Sequence, residues 1–240
     1  MKIITENALK SAEMAAIRVA AVMKDKPDAA LAFDCNPAME PFYESLAALC
    51  RKGECSLRDA KIFCVCSFAG VDEAAESARR GFAVEKLVKG CGADEAKLRF
   101  PEVGAISENG VDGYDGEIAA AGGLELIILG VGLNGRMGFN EPATPFESYT
   151  HVQKLTDVTR GEISAAFGDG FAAPEDGVTM GIKTIVSAKT VVMLAAGEDK
   201  ADIIHKVVYG KTVTYVPASM LQLHLDMTLY LDDAAASKLG

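Results

Sequence analysis

Residues 126–142 read Leu-Ile-Ile-Leu-Gly-Val-Gly-Leu-Asn-Gly-Arg-Met-Gly-Phe-Asn-Glu-Pro. Four consecutive large aliphatic side chains leave no polar face for solvent, so Leu126–Leu129 belongs in a strand buried on both sides. Such strands occur in parallel sheets covered by helices. Gly130, Gly132 and Gly135 then let the backbone turn tightly and approach a ligand closely, before Asn140-Glu141-Pro142 closes the segment. An apolar strand, a glycine loop and a polar turn form the arrangement by which α/β proteins build sites at the carboxyl ends of strands.

The rest of the chain carries the alternation that this strand requires. Apolar residues at helical spacing (Leu9, Ala12, Ala16, Val19, Met23) predict an amphipathic helix over 6–23, stopped by Lys26-Pro27-Asp28. Further helices are predicted over 41–51, 72–89, 112–121, 200–209 and 218–224, and strands over 29–33, 60–68, 124–129, 190–195 and 228–231. The expected fold class is therefore α/β: a mostly parallel sheet with helices on both faces, a Rossmann-like three-layer architecture. No internal repeat or linker interrupts residues 1–240, so a single domain is expected.

Composition narrows the function classes. A formal net charge of −10 disfavours non-specific nucleic-acid binding, because a polyanion is repelled. It leaves room for an anionic substrate in a locally positive pocket. No apolar run reaches the roughly 18–20 residues that span a bilayer, and the first residues lack a secretory layout. The six cysteines lie between Cys35 and Cys91 with no paired CxxC clusters. They read as reduced, partly buried thiols of a cytoplasmic protein, without a metal site. Strand alternation through 60–68 would turn Cys64 and Cys66 to the same face. No cofactor, nucleic-acid partner or membrane contact is expected, and a homo-oligomer stays open.

The glycines fit GxGxxG, but a dinucleotide site fails on context. The motif lies mid-chain, and Asn140-Glu141-Pro142 interrupts the helix that should follow. The whole segment instead resembles the signature of the glucosamine-6-phosphate and galactosamine-6-phosphate isomerase/deaminase family, Gly-x-Gly-x-(Asp/Asn)-Gly-His-x-x-(Phe/Leu)-Asn-Glu-Pro. Three other stretches are similar to family segments: Gly177–Lys183 to a Thr-x-Gly turn, Ala196–Lys200 to a Gly-x-x-Lys loop, and Pro217–His224 to a C-terminal Leu-x-Leu-His segment. The lactonases that share the fold lack Asn-Glu-Pro after the glycine loop.

The resemblance implies conversion of an amino-sugar 6-phosphate to a ketose phosphate with loss of ammonia. It places Glu141 and Asn134 near the reacting carbons, Gly132, Gly135 and Asn140 against the substrate, and Lys200 at the phosphate. The chain departs from the family pattern at three places. Arg136 stands where the family has a histidine, and a guanidinium cannot cycle a proton near neutral pH. It would act instead as an electrostatic helper or as an ion-pair partner of Glu141. Cys66 falls at the position of the acidic base, with Asp72 a few residues later as the other candidate. The segment Phe33–Pro41, where the family has a Gly/Ser/Thr-rich phosphate loop, has no glycine and carries Asp34 and Glu40. A bland role stands beside each assignment: Cys66 as a strand cysteine, Lys200 as a surface lysine, Glu141 as a capping residue, His224 as a core histidine. Two expectations follow: an enzyme acting on an amino-sugar phosphate, or, as the alternative, a catalytically impaired homologue that serves as a sugar-phosphate sensor or protein partner, or an enzyme with a changed substrate.

Overall fold

The structure is a computed structural model that describes residues 1–70, 73–106, 110, 112–168 and 170–240. In chain order its elements are β1 (Lys2–Thr5), α1 (Ala8–Asp25), β2 (Ala30–Phe33), α2 (Glu40–Arg51), β3 (Lys61–Cys64), β4 (Cys66–Ala69) and α3 (Glu73–Ala83). They continue as β5 (Leu98–Arg99), α4 (Gly113–Ala120), β6 (Leu126–Gly130), β7 (His151–Lys154), α5 (Asp157–Phe167), β8 (Asp176–Thr179) and α6 (Ile182–Val186). The last are β9 (Thr190–Ala195), α7 (Ala201–Tyr209) and β10 (Met227–Leu231).

Seven strands form one sheet in the order β1-β10-β9-β6-β2-β3-β5, and all its pairings are parallel. Alternate residues of the central strands feed two apolar layers. Leu31, Phe33, Leu126 and Ile128 pack with α1 and α2 residues such as Val19, Phe42 and Leu46. Ala32, Ile127 and Leu129 pack on the other face with Ile118, Ile185 and Ile204. The expected mostly parallel sheet with helices on both faces is what the chain forms.

Local chemistry accounts for the helix limits. The Asn7 side chain accepts a hydrogen bond from the Lys10 N–H at 2.9 Å and starts α1. Ala12, Ala15, Ala16, Val19 and Met23 form its buried stripe, whereas Leu9 is 67% exposed. Pro41 sits in the first turn of α2, where a missing N–H costs nothing.

The run 60–68 corrects the sequence reading. It is two strands in two sheets: β3 belongs to the large sheet, and β4 joins β8 and β7 in a small antiparallel sheet, β4-β8-β7. Val65 is the crossing point; its N–H donates to Phe33 O at 3.0 Å and its carbonyl accepts from Met180 N–H at 2.7 Å. Cys64 and Cys66 therefore lie in different apolar clusters rather than on a shared face. All six cysteines are free thiols. No helix among the described residues is long and apolar enough to cross a membrane.

Two-sided burial of β6 makes its side chains costly to truncate. Leu126 is fully buried, so Leu126→Ala should lower the unfolding free energy by about 2–5 kcal/mol in a denaturant titration. Leu9→Ala, at an exposed position of α1, should change it by less than about 0.5 kcal/mol. Similar costs for the two substitutions would contradict the burial of β6.

Candidate active site

The large sheet changes direction between β2 and β6. From β2 the chain proceeds outward to β3 and β5; from β6 it proceeds the other way to β9 and β10. Loops leaving the carboxyl ends of β2 and β6 thus diverge and leave a crevice between them, the usual place for a site in such folds. Gly130 ends β6, and a Cβ there would lie 3.5 Å from Asp34 Oδ2, just past β2.

The glycine loop is closed by its own backbone. Gly132 N–H donates to Arg136 O at 3.1 Å, and Gly135 N–H to Gly132 O at 2.9 Å. Two glycines are required by geometry. Gly135 has φ +85°, and a Cβ on Gly132 would meet the Arg136 Cγ at 2.5 Å. The Arg136 side chain thus lies against Gly132 in space that no larger residue would leave.

The Asn-Glu-Pro turn is buried. Asn140, with no exposed surface, donates through Nδ2 to Met137 O at 2.8 Å and Met180 O at 2.9 Å, which ties the loop to the end of β8. Glu141 is 2% exposed. One carboxylate oxygen accepts from Asn134 Nδ2 at 2.7 Å, and the other from the Thr156 N–H at 3.0 Å. The Thr156 hydroxyl lies 3.2–3.3 Å from both. Thr156 is the N-cap of α5, so Glu141 sits at a helix N-terminus, where peptide N–H groups favour negative charge.

Arg136 does not pair with Glu141, as the sequence allowed. Its Nη1 donates to Gly138 O at 2.6 Å, and its Nη2 reaches Glu162 Oε2 at 3.3 Å. Lys200, in the turn that leads into α7, binds the other Glu162 oxygen at 2.6 Å. The Leu133 N–H donates to that same oxygen at 3.1 Å. Lys200 is thus a half-buried ion-pair partner of the site, its side chain 17% exposed, rather than a free surface lysine.

The carboxyl end of β2 holds a second charged group. Asp34 is buried and pairs with the equally buried Arg79 of α3 at 3.2 Å. Arg79 also donates from Nε to Cys66 O at 3.0 Å and from Nη2 to Cys66 Sγ at 2.7 Å. Its guanidinium lies 5.3 Å and 5.0 Å from the ring centres of Phe68 and Phe139, a favourable cation–π placement. Burial pushes the Cys66 thiol up to about 12, with Asp34 raising it further and Arg79 only partly opposing. Cys66 is therefore protonated at neutral pH and not poised as a base. Asp72, the other candidate, lies outside the described residues. Glu40 is held in an ion pair with Lys86.

Glu141 and Asn134 thus meet directly, and Arg136 and Lys200 meet through Glu162. The sequence reading missed Glu162, Thr156 and Arg79. Nothing local marks them: Glu162 bonds residues 26 and 38 positions away, and on sequence it is one acidic residue of a helix. His224 is half-buried and bonds Ala188 O at 2.8 Å, a structural role.

Residues 7–230 match the family of glucosamine-6-phosphate isomerases and 6-phosphogluconolactonases. The chain belongs to that family. It is 36% identical over 241 residues to a glucosamine-6-phosphate deaminase of Shewanella woodyi, covering 99% of this chain and 90% of the relative. It is 34% identical over 239 residues to one of Streptomyces coelicolor, covering 99% and 92%. Among solved structures, a monomeric glucosamine-6-phosphate deaminase superposes with a TM-score of 0.86 at 27% identity, over 99% of this chain and 100% of that one. A 6-phosphogluconolactonase from Leishmania guyanensis, at 18% identity and a TM-score of 0.69 over 100% and 98%, shares the fold.

Two thiols in contrasting surroundings give a direct check on the state of Cys66. Cys50, at the end of α2, is held below the usual thiol range by hydrogen bonds from Cys55 and Cys91. Native protein treated with iodoacetamide at pH 7 should be alkylated at Cys50, while Cys66 stays unmodified until the chain is unfolded. Peptide mass spectrometry reads both sites. Rapid native labelling of Cys66 would show that it is neither buried nor protonated.

Proposed function

We propose that this protein is an aldose–ketose isomerase/deaminase acting on an amino-sugar 6-phosphate, glucosamine 6-phosphate or galactosamine 6-phosphate. The observation that carries the reading is one carboxylate, Glu141, buried and oriented by Asn134 and Thr156, on the same loop as Arg136, which joins Lys200 through Glu162. A proton-transfer group beside two cations suits a substrate that exchanges protons at carbon while carrying a phosphate. Family membership and full-length relatives named glucosamine-6-phosphate deaminase support it.

The reaction takes up water and yields a ketose phosphate and ammonia. The sugar ring opens, a proton moves between C2 and C1, and the amine leaves. Glu141 is the group in the loop that can both accept and donate a proton, so it takes the ring-opening step. Arg136 cannot cycle a proton; it is a fixed cation that, with Lys200, meets the negative charge of the substrate, as preorganised donors do. Lys200 meets the phosphate, and Gly132, Gly135 and Asn140 shape the pocket floor. With the Cys66 thiol held protonated, Asp72 is the residue we assign to the C2 proton.

A coupled assay of ammonia release from the two amino-sugar phosphates tests the reading. Glu141→Gln, which keeps shape but removes the exchangeable proton, should lower kcat by roughly 100-fold or more. Asp72→Asn should do the same, whereas Cys66→Ser should retain turnover. Absence of ammonia from both sugars would overturn the assignment.

A further inference from the structure

The Glu162 carboxylate occupies a ready-made anion cradle. One oxygen accepts from Lys200 Nζ at 2.6 Å and Leu133 N–H at 3.1 Å, and the other from Arg136 Nη2 at 3.3 Å. Two cations and a peptide N–H converging on two oxygens is a donor set that fits a phosphate group as well as a carboxylate. The cradle is built rather than incidental. The Arg136 side chain is 6% exposed and packed against Gly132, and its Nη1 is fixed separately by Gly138 O. Its buried Nε has no partner among the described residues. Leu133, by contrast, is 38% exposed, so the cradle opens to solvent on that side. Glu162 projects from α5 on a flexible side chain, itself 16% exposed, and can leave without moving the helix.

We propose that Glu162 is a resident internal anion that competes with the substrate phosphate for Lys200, Arg136 and the Leu133 N–H, and so sets which anionic substrates the site accepts. This rests on the amino-sugar-phosphate reading for the nature of the entering group. While Glu162 stays in place it repels a phosphate and holds both cations. A ligand enters by displacing it, so a phosphate dianion is favoured over a carboxylate monoanion, which only equals the charge it replaces. The residue is a specificity determinant acting on affinity, not on the proton transfers.

Titration calorimetry of the full chain with inorganic phosphate, and separately with glucosamine 6-phosphate, tests this. Glu162→Gln and Glu162→Ala should each tighten inorganic phosphate by about tenfold, since a like charge in the cradle is removed. Lys200→Met in the Glu162→Gln background should abolish the gain. In turnover, the same substitutions should lower KM more than they change kcat. The glutamine variant keeps the hydrogen-bonding shape, so it guards against an alanine variant that fails to fold. Unchanged or weaker phosphate affinity in the folded glutamine variant would overturn the proposal. Tightening without ammonia release from any amino sugar would leave the anion cradle standing and remove the substrate reading instead.

Discussion

The structure depends on β6 lying between β2 and β9 with Leu126–Leu129 buried on both faces. A strand without a solvent face can exist only if both sides of the sheet are covered, and the connections between parallel strands supply the helices that do so. That requirement sets the two apolar layers, with α1 and α2 on one side and α4, α6 and α7 on the other. It also fixes the site. Because the chain winds in opposite directions from β2 and β6, the loops carrying Asp34 and Gly130 separate at the carboxyl ends of adjacent strands. What a reader sees as a motif at 130–142 is the edge of a packing solution.

Charge in this crevice is organised as internal pairs. Arg79 is almost completely buried, and removal of one partner from a buried ion pair typically costs about 3–5 kcal/mol. Asp34 is therefore the residue that allows Arg79 to stand beneath Phe68 and Phe139. Arg136 and Lys200 share Glu162 in the same way. Glu141 is different, because its oxygens are met by an amide, a peptide N–H and a hydroxyl rather than by a cation. That difference in partners separates it structurally from Asp34 and Glu162, each of which is paired with a cation.

The sheet was readable from sequence where burial leaves a two-sided apolar signature, as at Ala30–Phe33, Leu126–Gly130 and Thr190–Ala195. It was misread at 60–68, because an apolar run carries no mark of the residue at which the chain leaves one sheet for another. Only the long-range bonds of Val65 to Phe33 and Met180 decide that. The antiparallel strands β7 and β8 went unread for a similar reason: His151–Lys154 is short and polar, and its partner lies across a helix. In the site, the loop residues Asn134, Arg136, Asn140 and Glu141 were legible because they are contiguous with the glycines. Glu162 and Arg79 were not, since each acquires its meaning from partners brought together by the fold.

Arg136 is best understood together with what surrounds it. A histidine at this position would need a proton partner, but a guanidinium needs space, a carbonyl and a counter-charge. The chain provides all three: Gly132 leaves the space, Gly138 offers its carbonyl, and Glu162 supplies the charge. Glu162 in turn draws Lys200 into the same cluster at 2.6 Å. The departure from the motif is therefore a coupled unit in which arginine, glutamate and lysine specify one another. Such coupling makes Arg136→His alone a poor guide to activity, because contacting charges are non-additive. Within the glycine loop this leaves Glu141 as the one ionisable side chain that is not committed to an ion pair, its oxygens met by Asn134 and Thr156 instead.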